Sequence, residues 1–367
     1  MHEHFLQRCC DLALLPSAAV SPNPRVGAVL VHRGRIIGEG YHKKHGSAHA
    51  EVNCLASVRP EDRHLITDST IYVSLEPCCI FGRTPPCTNL IIEHKIPRVV
   101  VGQRDRTAEV SGRGIQLLLE AGVEVKEFPD FKPAATIAQP RQLFAAKQRP
   151  FVLLKYARSA DGFLAPADQK SYWITGLVSR RLVHFWRART KAILIGAGTL
   201  LADDPRLNLR YYPGEDPLAV IVDPKGKVKG KNFRLLERRG DLKPILIQPL
   251  GAGENLAFEQ HFVNFGYQTR PARRQVGRGS SVGNEYDPQF INDILAILHA
   301  KNFNHITVEG GGWLLKKFFA SQQWDEARVF TQSGLVYGAG VRAPLPLGRL
   351  ADQEKIQNDL LQRFYPD

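Results

Sequence analysis

The fold of the first part of this chain is decided by two short segments, His49-Ala50-Glu51 and Glu76-Pro77-Cys78-Cys79-Ile80-Phe81-Gly82-Arg83-Thr84-Pro85-Pro86-Cys87. The imidazole of His49 and the thiolates of Cys78 and Cys87 form a three-ligand set of the kind that holds a catalytic zinc ion and leaves a fourth position for water. Zinc makes such a water acidic enough to attack near pH 7. Glu51 stands outside the ligand set, and its carboxylate is suited to carrying protons between this water and a leaving group.

This pattern is typical of zinc-dependent deaminases that act on nucleobase-type rings. A His-x-Glu triplet alone is a weak signal, but here it opens a predicted helix, residues 48–57, and precedes a predicted strand, residues 70–75, that ends in Pro-Cys. We expect a second helix to begin at Cys78, because the positive end of a helix favours the thiolate that a metal needs. Cys79 is a competing ligand, but adjacent residues rarely point at one metal, so it is left out.

The composition indicates a globular protein that binds an anion. At 367 residues, with 43% hydrophobic and 23% charged residues, two domains are expected. The longest apolar runs fall short of the ~20 residues of a membrane span, there is no signal-peptide pattern, and six cysteines do not suggest a disulfide scaffold. We therefore expect a cytoplasmic protein. The net charge of +13 suits nucleic acid or phosphorylated small molecules; most of the excess lies after residue 149, away from the zinc motif, which favours a small molecule.

The predicted elements indicate an α/β protein with two domains, residues 1–148 and 149–367. Strands and helices alternate over short connections in the first domain, which predicts a layered sheet covered by helices. Arg149-Pro150 marks the boundary, and the alternation begins again at Phe151. Residues 249–287 carry little periodic signal. The densest basic run, from Arg270 to Arg278, lies among them and is interpreted as a solvated loop. The last predicted strand is residues 328–331.

Eight residues separate Cys78 from Cys87, where the commonest deaminase pattern has two. This spacing, with Pro22-Asn23-Pro24-x-Val26-Gly27-Ala28-Val29 upstream, resembles the deaminase domain of the bifunctional deaminase–reductase family of riboflavin biosynthesis. The resemblance implies a cytidine-deaminase-like three-layer domain, a Zn²⁺ site, and hydrolytic deamination of 2,5-diamino-6-ribosylamino-4(3H)-pyrimidinone 5′-phosphate. Cys79-Ile80-Phe81 replaces the polar run that is usual in that family.

Asn23 is the expected substrate-binding residue of this domain, since its carboxamide can hydrogen bond a ribose or a base edge. An asparagine between two prolines is also a common turn residue, and that interpretation stays open. His42 and Lys43-Lys44 precede the metal-binding helix, where they would either meet the substrate phosphate or form a solvated loop.

The second half resembles the reductase domain of the same family. The resemblance is carried by Lys155-x-Ala157-x-Ser159-x-Asp161-Gly162, Ser171-x-Trp173-Ile174-Thr175 and Thr199-x-x-x-Asp203-Asp204-Pro205-x-Leu207; spacing alone would describe these as strand ends and turns. It implies a dihydrofolate-reductase-like domain that uses NADPH to reduce the ribosyl group, giving 5-amino-6-(5-phosphoribitylamino)uracil.

The resemblance also implies roles for individual residues. Lys155 and Asp203 are expected to orient the reacting sugar and to handle protons, although a strand lysine and a turn aspartate beside Pro205 are the alternatives. The expected cofactor contacts are Ala157, Arg158, Trp173, Thr199, Asp203, Gly310, Gly311 and Gly312. The expected substrate contacts are Ser171, Arg187, Leu207, Arg210 and Glu309, with the two arginines on the phosphate.

Two other interpretations remain open. A tRNA adenosine deaminase would have a short Pro-Cys-x-x-Cys and no second catalytic domain. Alternatively, the second domain is a non-catalytic nucleotide-binding module, because Phe330-Thr331-Gln332-Ser333-Gly334 departs from the family's usual apolar run. No nucleic-acid or membrane partner is expected, and the family implies a homo-oligomer.

Overall fold

A computed structural model describes residues 2–82, 85–107, 110–168, 172–237, 243–252, 255–263 and 289–367. The chain divides into two compact units. The first contains Met1–Phe151 and Asn302–His305, and the second contains Val152–Lys301 and Ile306–Asp367. Among the described residues, no helix is long and apolar enough to cross a bilayer.

The first unit contains a five-stranded sheet of order β2-β1-β3-β4-β5. Its strands are β1 (Gly27–His32), β2 (Arg35–Tyr41), β3 (Thr70–Val73), β4 (Arg98–Val101) and β5 (Glu124–Glu127). β1 runs antiparallel to both β2 and β3, whereas β3, β4 and β5 are mutually parallel. The helices of this unit are α1 (His2–Ala13), α2 (Ala50–Ala56), α3 (Cys87–Glu93), α4 (Arg113–Glu120) and α5 (Lys132–Lys147).

Both faces of this sheet are buried, as the period-2 alternation of its strands requires. Ala28 and Leu30 of β1 pack in one apolar cluster with residues of α2, α3 and α4, while Val29 and Val31 pack in another with α1. Helix α2 packs closely on β2. The contact is so close that a Cβ at Gly40 of β2 would collide with the backbone nitrogen of Cys54 in α2. The result is a three-layer unit in which α2, the helix of the His-x-Glu triplet, is held close to the sheet.

The predicted helix start at Cys78 is wrong. Residues 74–86 form no regular element where they are described, and helix α3 begins at Cys87 instead. Pro86 is the N-cap of α3, with φ −60° and ψ 140°. Prolines restrict the residues before them to extended conformations, so the helix forms only after Pro86.

The second unit is built on a nine-stranded sheet of order β11-β10-β9-β8-β12-β6-β13-β16-β15. Its strands are β6 (Phe151–Ser159), β8 (Ala192–Gly196), β9 (Leu218–Val222), β10 (Ile245–Pro249), β11 (Glu259–Val263), β12 (His305–Val308), β13 (Glu326–Gln332), β15 (Arg349–Ile356) and β16 (Asp359–Tyr365). The pairs β8–β9, β9–β10, β10–β11, β8–β12 and β6–β13 are parallel, and β16 is antiparallel to β13 and β15. A separate two-stranded sheet pairs β7 (Phe163–Pro166) with β14 (Gly340–Arg342).

In the described part of this unit, the helices that accompany these sheets are α6 (Leu177–Arg187), α7 (Ala197–Asp203), α8 (Gln289–Ala300) and α9 (Gly312–Ser321). The sequence predicted β13 but missed β7, β11 and the last three strands; β11 lies in the segment 249–287, where little periodic signal was seen. In β15 every residue but the last is exposed, so the apolar alternation that marks a strand is absent there. The basic run from Arg270 to Arg278 lies outside the described residues.

Candidate functional site

The three residues predicted to bind metal lie together in the first unit. Their ligand atoms all lie within 4.8 Å of one another. The His49 Nδ1 atom is 3.4 Å from the Cys78 sulfur and 3.3 Å from the Cys87 sulfur. Ligands about 2.0–2.3 Å from one zinc ion in a tetrahedron are separated by comparable distances, so this donor set fits zinc with one position left for water.

Two of the ligands lie at helix N-termini, and the third lies in an irregular segment. His49 is the extended N-cap of α2 and makes no side-chain capping bond, so its ring is available to the cluster. Cys78 follows β3 in the irregular segment, and Cys87 is the first residue of α3. The Cys87 backbone N–H donates to the Cys78 sulfur at 3.4 Å. The helix N-terminus that was predicted at Cys78 therefore lies at Cys87, and the backbone N–H of its first residue donates to the Cys78 sulfur.

The two thiols have opposite proton affinities. Hydrogen bonds from Cys87 and then from His49 lower the pKa of Cys78 well below its ordinary value, although burial acts against this. The pKa of Cys87 is raised, first by its hydrogen bond to Cys78 and then by burial. One thiolate therefore forms readily before any metal binds, and the second needs the metal's charge to lose its proton.

Glu51 lies beside the ligands without joining them. Its side chain is buried, 3% exposed, in the first turn of α2 and contacts the Cys87 side chain. Burial, and next the negative charge at Cys78, raise the pKa of Glu51. A carboxyl group with a raised pKa exchanges protons more readily near neutral pH, as a proton shuttle requires.

His42 is a site residue whose position the sequence left ambiguous. It is 2% exposed, and its ring packs nearly perpendicular to that of His49 at 5.3 Å. Its Nδ1–H donates to the Ala48 carbonyl at 3.0 Å, which leaves Nε2 to accept from the Asn23 amide at 3.1 Å. Burial lowers its pKa, consistent with this neutral form. Asn23 is therefore held near the cluster by a buried histidine, which no periodic pattern indicated.

Glu76 anchors the backbone that precedes Cys78. Its carboxylate is buried and accepts backbone N–H bonds from Asp105, Gly112, Gly114 and Ile115 at 3.0–3.3 Å. A Cβ at Gly114 would collide with the Pro77 carbonyl, so the start of α4 lies directly against this segment. The backbone before Cys78 is consequently anchored to α4.

The loop between the cysteines presents apolar side chains to solvent. Phe81 is 78% exposed and Ile80 is 46% exposed. Cys79 is not among the three residues of the metal-type cluster. Arg83 and Thr84 lie outside the described residues.

The second unit contains a cavity of about 760 Å³. It brings together most residues predicted for the reductase site: Lys155, Ala157, Trp173, Arg187, Thr199, Asp203, Leu207, Arg210, Glu309, Gly310, Gly311 and Gly312. Two predicted residues are not in this set. Arg158 donates its Nε–H to Thr331 Oγ1 at 3.0 Å on the neighbouring strand β13, and Ser171 lies outside the described residues.

A buried charge centre lies in this cavity. The Arg187 guanidinium forms two 2.7 Å hydrogen bonds to the Glu309 carboxylate, and the Lys155 ammonium lies 3.7 Å from the same carboxylate. Burial alone would raise the pKa of Glu309, but Arg187 and then Lys155 lower it to about 2. Burial lowers the pKa of Lys155 against the opposing effect of Glu309. Two cations thus share one carboxylate.

The glycine segment 310–312 approaches Thr199 closely. A Cβ at Gly310 would lie 3.1 Å from Thr199 Cγ2, and Gly311 has a φ of +72° that favours glycine. The turn between β12 and α9 therefore leaves backbone exposed at the cavity beside the first turn of α7, where a nucleotide phosphate could approach amide groups.

His184 and Arg180 also line the cavity, although the sequence did not single them out. His184 Nδ1 accepts the Arg210 backbone N–H at 3.1 Å. Burial, then Arg187 and Arg210, lower the pKa of His184 to about 4, so the ring is neutral above that pH. The available signal was their spacing with Arg187, since i, i+4 and i+7 share one helix face.

Comparison with known proteins identifies the family. The model of the RibD C-terminal domain matches residues 150–361, and that of the cytidine and deoxycytidylate deaminase zinc-binding region matches residues 1–103. The riboflavin biosynthesis protein RibD of Bacillus amyloliquefaciens is 32% identical over 340 residues, covering 92% of this chain and 86% of that protein. The chain belongs to the RibD family.

Other RibD proteins match over less of their length. The Aquifex aeolicus (strain VF5) protein is 39% identical over 227 residues, which cover 62% of this chain and 63% of that protein. Among solved structures, a diaminohydroxyphosphoribosylaminopyrimidine deaminase/5-amino-6-(5-phosphoribosylamino)uracil reductase from Thermotoga maritima has a TM-score of 0.85 and 32% identity, covering 100% of this chain and 99% of that chain.

The predicted fold class is confirmed by these RibD matches: a cytidine-deaminase-like domain is followed by a dihydrofolate-reductase-like domain. The predicted boundary at residues 148 and 149 stays a prediction, with the two matched regions on either side of it. The individual site residues likewise stay predictions, and all of them except Ser171 lie in the described part of the chain.

Proposed function

We propose that this chain is a bifunctional enzyme of riboflavin biosynthesis. It hydrolytically deaminates 2,5-diamino-6-ribosylamino-4(3H)-pyrimidinone 5′-phosphate, and then reduces the ribosyl group with NADPH to give 5-amino-6-(5-phosphoribitylamino)uracil. The observation that carries the proposal is the presence, in one RibD-family chain, of the His49–Cys78–Cys87 donor set beside Glu51 and of the cationic cavity.

In the first reaction His49, Cys78 and Cys87 hold the zinc ion, which when bound acidifies the attacking water. Glu51 takes the proton of that water as it adds to the ring carbon bearing the 2-amino group, and passes the proton to the departing amine, so that ammonia leaves. The burial of Glu51 suits both halves of this transfer, since its raised pKa makes it a weak enough acid to accept the proton. Asn23, fixed by His42, orients the substrate.

In the second reaction NADPH, when bound, supplies a hydride to C1′ of the ribosyl group. Lys155 and Asp203 handle the proton at the opening sugar oxygen and orient the sugar. The lowered pKa of Lys155 makes its ammonium a better proton donor than an exposed lysine. The proposed cofactor contacts are Trp173, Thr199 and residues 310–312. Ala157 and Arg158, on strand β6, complete this set.

Substrate binding in the cavity involves Leu207, Arg210 and Glu309, together with Arg187. Ser171 stays an expected substrate contact outside the described residues. Arg210 suits a phosphate directly. Arg187 is paired with Glu309, so its part in substrate binding includes holding that carboxylate in place. We expect the enzyme to act in the cytoplasm, which suits six cysteines that form no disulfide. We also expect a homo-oligomer without a nucleic-acid or membrane partner.

A coupled assay tests the proposal. The diaminopyrimidinone phosphate is given with and without NADPH, and ammonia release and NADPH oxidation are followed together. We expect ammonia in both cases and NADPH oxidation only after deamination. The deaminated intermediate should support NADPH oxidation on its own. Ammonia release with no oxidation of NADPH would favour a non-catalytic second domain, and absence of ammonia release would contradict the deaminase assignment.

A further inference from the structure

The N-terminus of helix α6 is capped by a side chain from strand β16. Asp359, the first residue of β16, accepts the Gly176 backbone N–H at 2.9 Å and the Ser179 hydroxyl at 2.6 Å, both through Oδ2. Gly176 is the N-cap of α6 and has no side chain that could make such a bond. Acceptors and negative charge are favoured at a helix N-terminus. Asp359 therefore replaces a local N-cap side chain from 183 positions away in the sequence.

The carboxylate of Asp359 is buried. The residue is 2% exposed, and within the described part of the chain its other oxygen, Oδ1, has no hydrogen-bond partner. Burying a carboxylate with only one of its oxygens satisfied costs free energy. The two bonds to the start of α6 are the printed interactions that offset this cost, so the position of Asp359 and that of the helix start depend on each other.

Strand β16 also holds the middle of the same helix. Leu361 lies two residues after Asp359 and so faces the same side of the strand. It packs in one buried apolar cluster with Val183 and Trp186 of α6. The helix is thus fixed on β16 by apolar contacts in its middle and by the Asp359 carboxylate at its start.

The segment that this carboxylate holds lines the cavity of the second unit. Trp173, Ile174 and Thr175 precede the N-cap and line the cavity, as does Arg180 in the first turn of α6. The Arg180 guanidinium carbon lies 4.7 Å from the Trp173 ring centroid, so the first turn and Trp173 are in contact. Asp359 is not among the lining residues, and its influence on a ligand has to pass through the segment it holds.

We propose that Asp359 is a positioning residue for NADPH, which holds residues 173–176 and the first turn of α6 in the arrangement that binds the cofactor. The inference rests on the proposed function, in which Trp173 contacts NADPH. Without the anchor, part of the free protein has this segment displaced, and bound NADPH restores it. The apparent Kd of NADPH then rises in inverse proportion to the binding-competent fraction, while the rate at saturating NADPH is kept.

Three variants remove the anchor to different degrees. Asp359→Ala removes both bonds, Asp359→Asn keeps a carbonyl oxygen as acceptor, and Ser179→Ala removes one bond and is the mildest change. The matched control is Asp223→Ala. Asp223 is 1% exposed, accepts the Val228 backbone N–H at 2.8 Å and has no partner for Oδ1 among the described residues, but it holds the turn after β9 and does not line the cavity.

The test measures the Kd of NADPH by fluorescence titration, kcat and KM for NADPH with the deaminated intermediate, and thermal unfolding. We expect Asp359→Ala to raise Kd and KM by about 10-fold, the loss of a hydrogen bond to a charged group, and the two milder variants to raise them by about 3-fold. In all three, kcat and ammonia release should stay at the level of the unsubstituted protein. Asp223→Ala should lower the unfolding temperature and leave Kd unchanged.

Hydrogen exchange distinguishes positioning from a general loss of stability. Amides of residues 176–180 should exchange faster in Asp359→Ala than in Asp223→Ala, and NADPH should slow them again. A Kd in Asp359→Ala equal to that in Asp223→Ala would overturn the inference, as would a lower kcat at unchanged Kd. Should Asp359→Ala not fold, an unchanged Kd in Ser179→Ala overturns it instead. Failure of the proposed function would appear differently, as absence of NADPH oxidation in the unsubstituted protein.

Discussion

The two candidate sites differ in where their reactive chemistry comes from. In the first unit four side chains, His49, Glu51, Cys78 and Cys87, supply the whole donor set and proton carrier within a few ångströms. In the second, a broad cavity is lined by cations whose pairing partners come from distant elements, as Glu309 does for Arg187. A site that holds a metal must be compact, because the ligands share one ion. A site that holds a nucleotide cofactor has to be wide, and its side chains bind and orient more than they react.

The largest difference in effect on the two activities is expected for a substitution of Glu51. Glu51→Ala should lower the rate of ammonia release on the order of 10³-fold, because general acid–base catalysis contributes about 10²–10⁴-fold. Zinc content and NADPH oxidation with the deaminated intermediate should stay at the level of the unsubstituted protein. A near-normal rate of ammonia release would remove Glu51 from its proposed role.

The next largest effect is expected for loss of the zinc ion. Cys87→Ser should lose most of its zinc, from about one ion per chain, because a catalytic zinc needs all three protein ligands. Cys79→Ser is the matched control and should keep its zinc. Elemental analysis of the purified variants checks both. Equal zinc in the two variants would mean that the ligand set is different.

In the cavity of the second unit, the largest effect on stability is expected for a substitution of Glu309. Glu309→Gln leaves two buried cations without their carboxylate and should destabilise the protein by about 3 kcal/mol at pH 7. The folded-state pKa of Glu309 is about 2, below its ordinary value, so its contribution is complete above the ordinary carboxyl range and is lost as the pH falls toward 2.

Thermal unfolding from pH 7 down to pH 3 measures this dependence. The difference between the unsubstituted protein and Glu309→Gln should shrink as the pH falls. Glu237→Gln is the control, since its pair with Arg206 is exposed and should change stability by less than about 1 kcal/mol. A similar loss in both variants would contradict the role of the buried charge centre.

The smallest expected effect tests the anchor of the metal site. Glu76→Gln replaces one carboxylate oxygen by an amide nitrogen, which cannot accept a hydrogen bond, so the backbone N–H groups on that oxygen lose their acceptor. Zinc affinity should fall about 10–100-fold, as for other residues that support metal ligands. Competition with a chelator measures this, and Glu127→Gln, which removes only an exposed pair with Arg104, should leave it unchanged.

The metal site was predictable because its signal is local. His49 and Glu51 lie at the start of one helix, and Cys78 follows, after a short irregular segment, a strand whose β-branched residues are evident in the sequence. The error at Cys78 had the same origin: the sequence shows a helix after the strand, but only the chain path shows that Pro86 delays its start to Cys87. The anchor at Glu76 left no sequence signal, because its partners are backbone amides more than 25 residues away.

The reductase residues were predictable only by resemblance. Lys155, Arg187 and Glu309 come from β6, α6 and the end of β12, and no spacing links them. Strand β15 was missed because its exposed polar residues lack alternation, although pairing with β16 makes it a strand.

By itself the sequence determined which atoms are available for chemistry, since zinc ligands and proton carriers depend on residue type and on short spacings along the chain. Only the tertiary structure decided which charges are paired. Arg180 and Arg187 are chemically identical and lie on one helix face, yet Glu309 reaches only Arg187. That choice depends on distances through space between residues more than 100 positions apart, and an ion pair is decided by those distances.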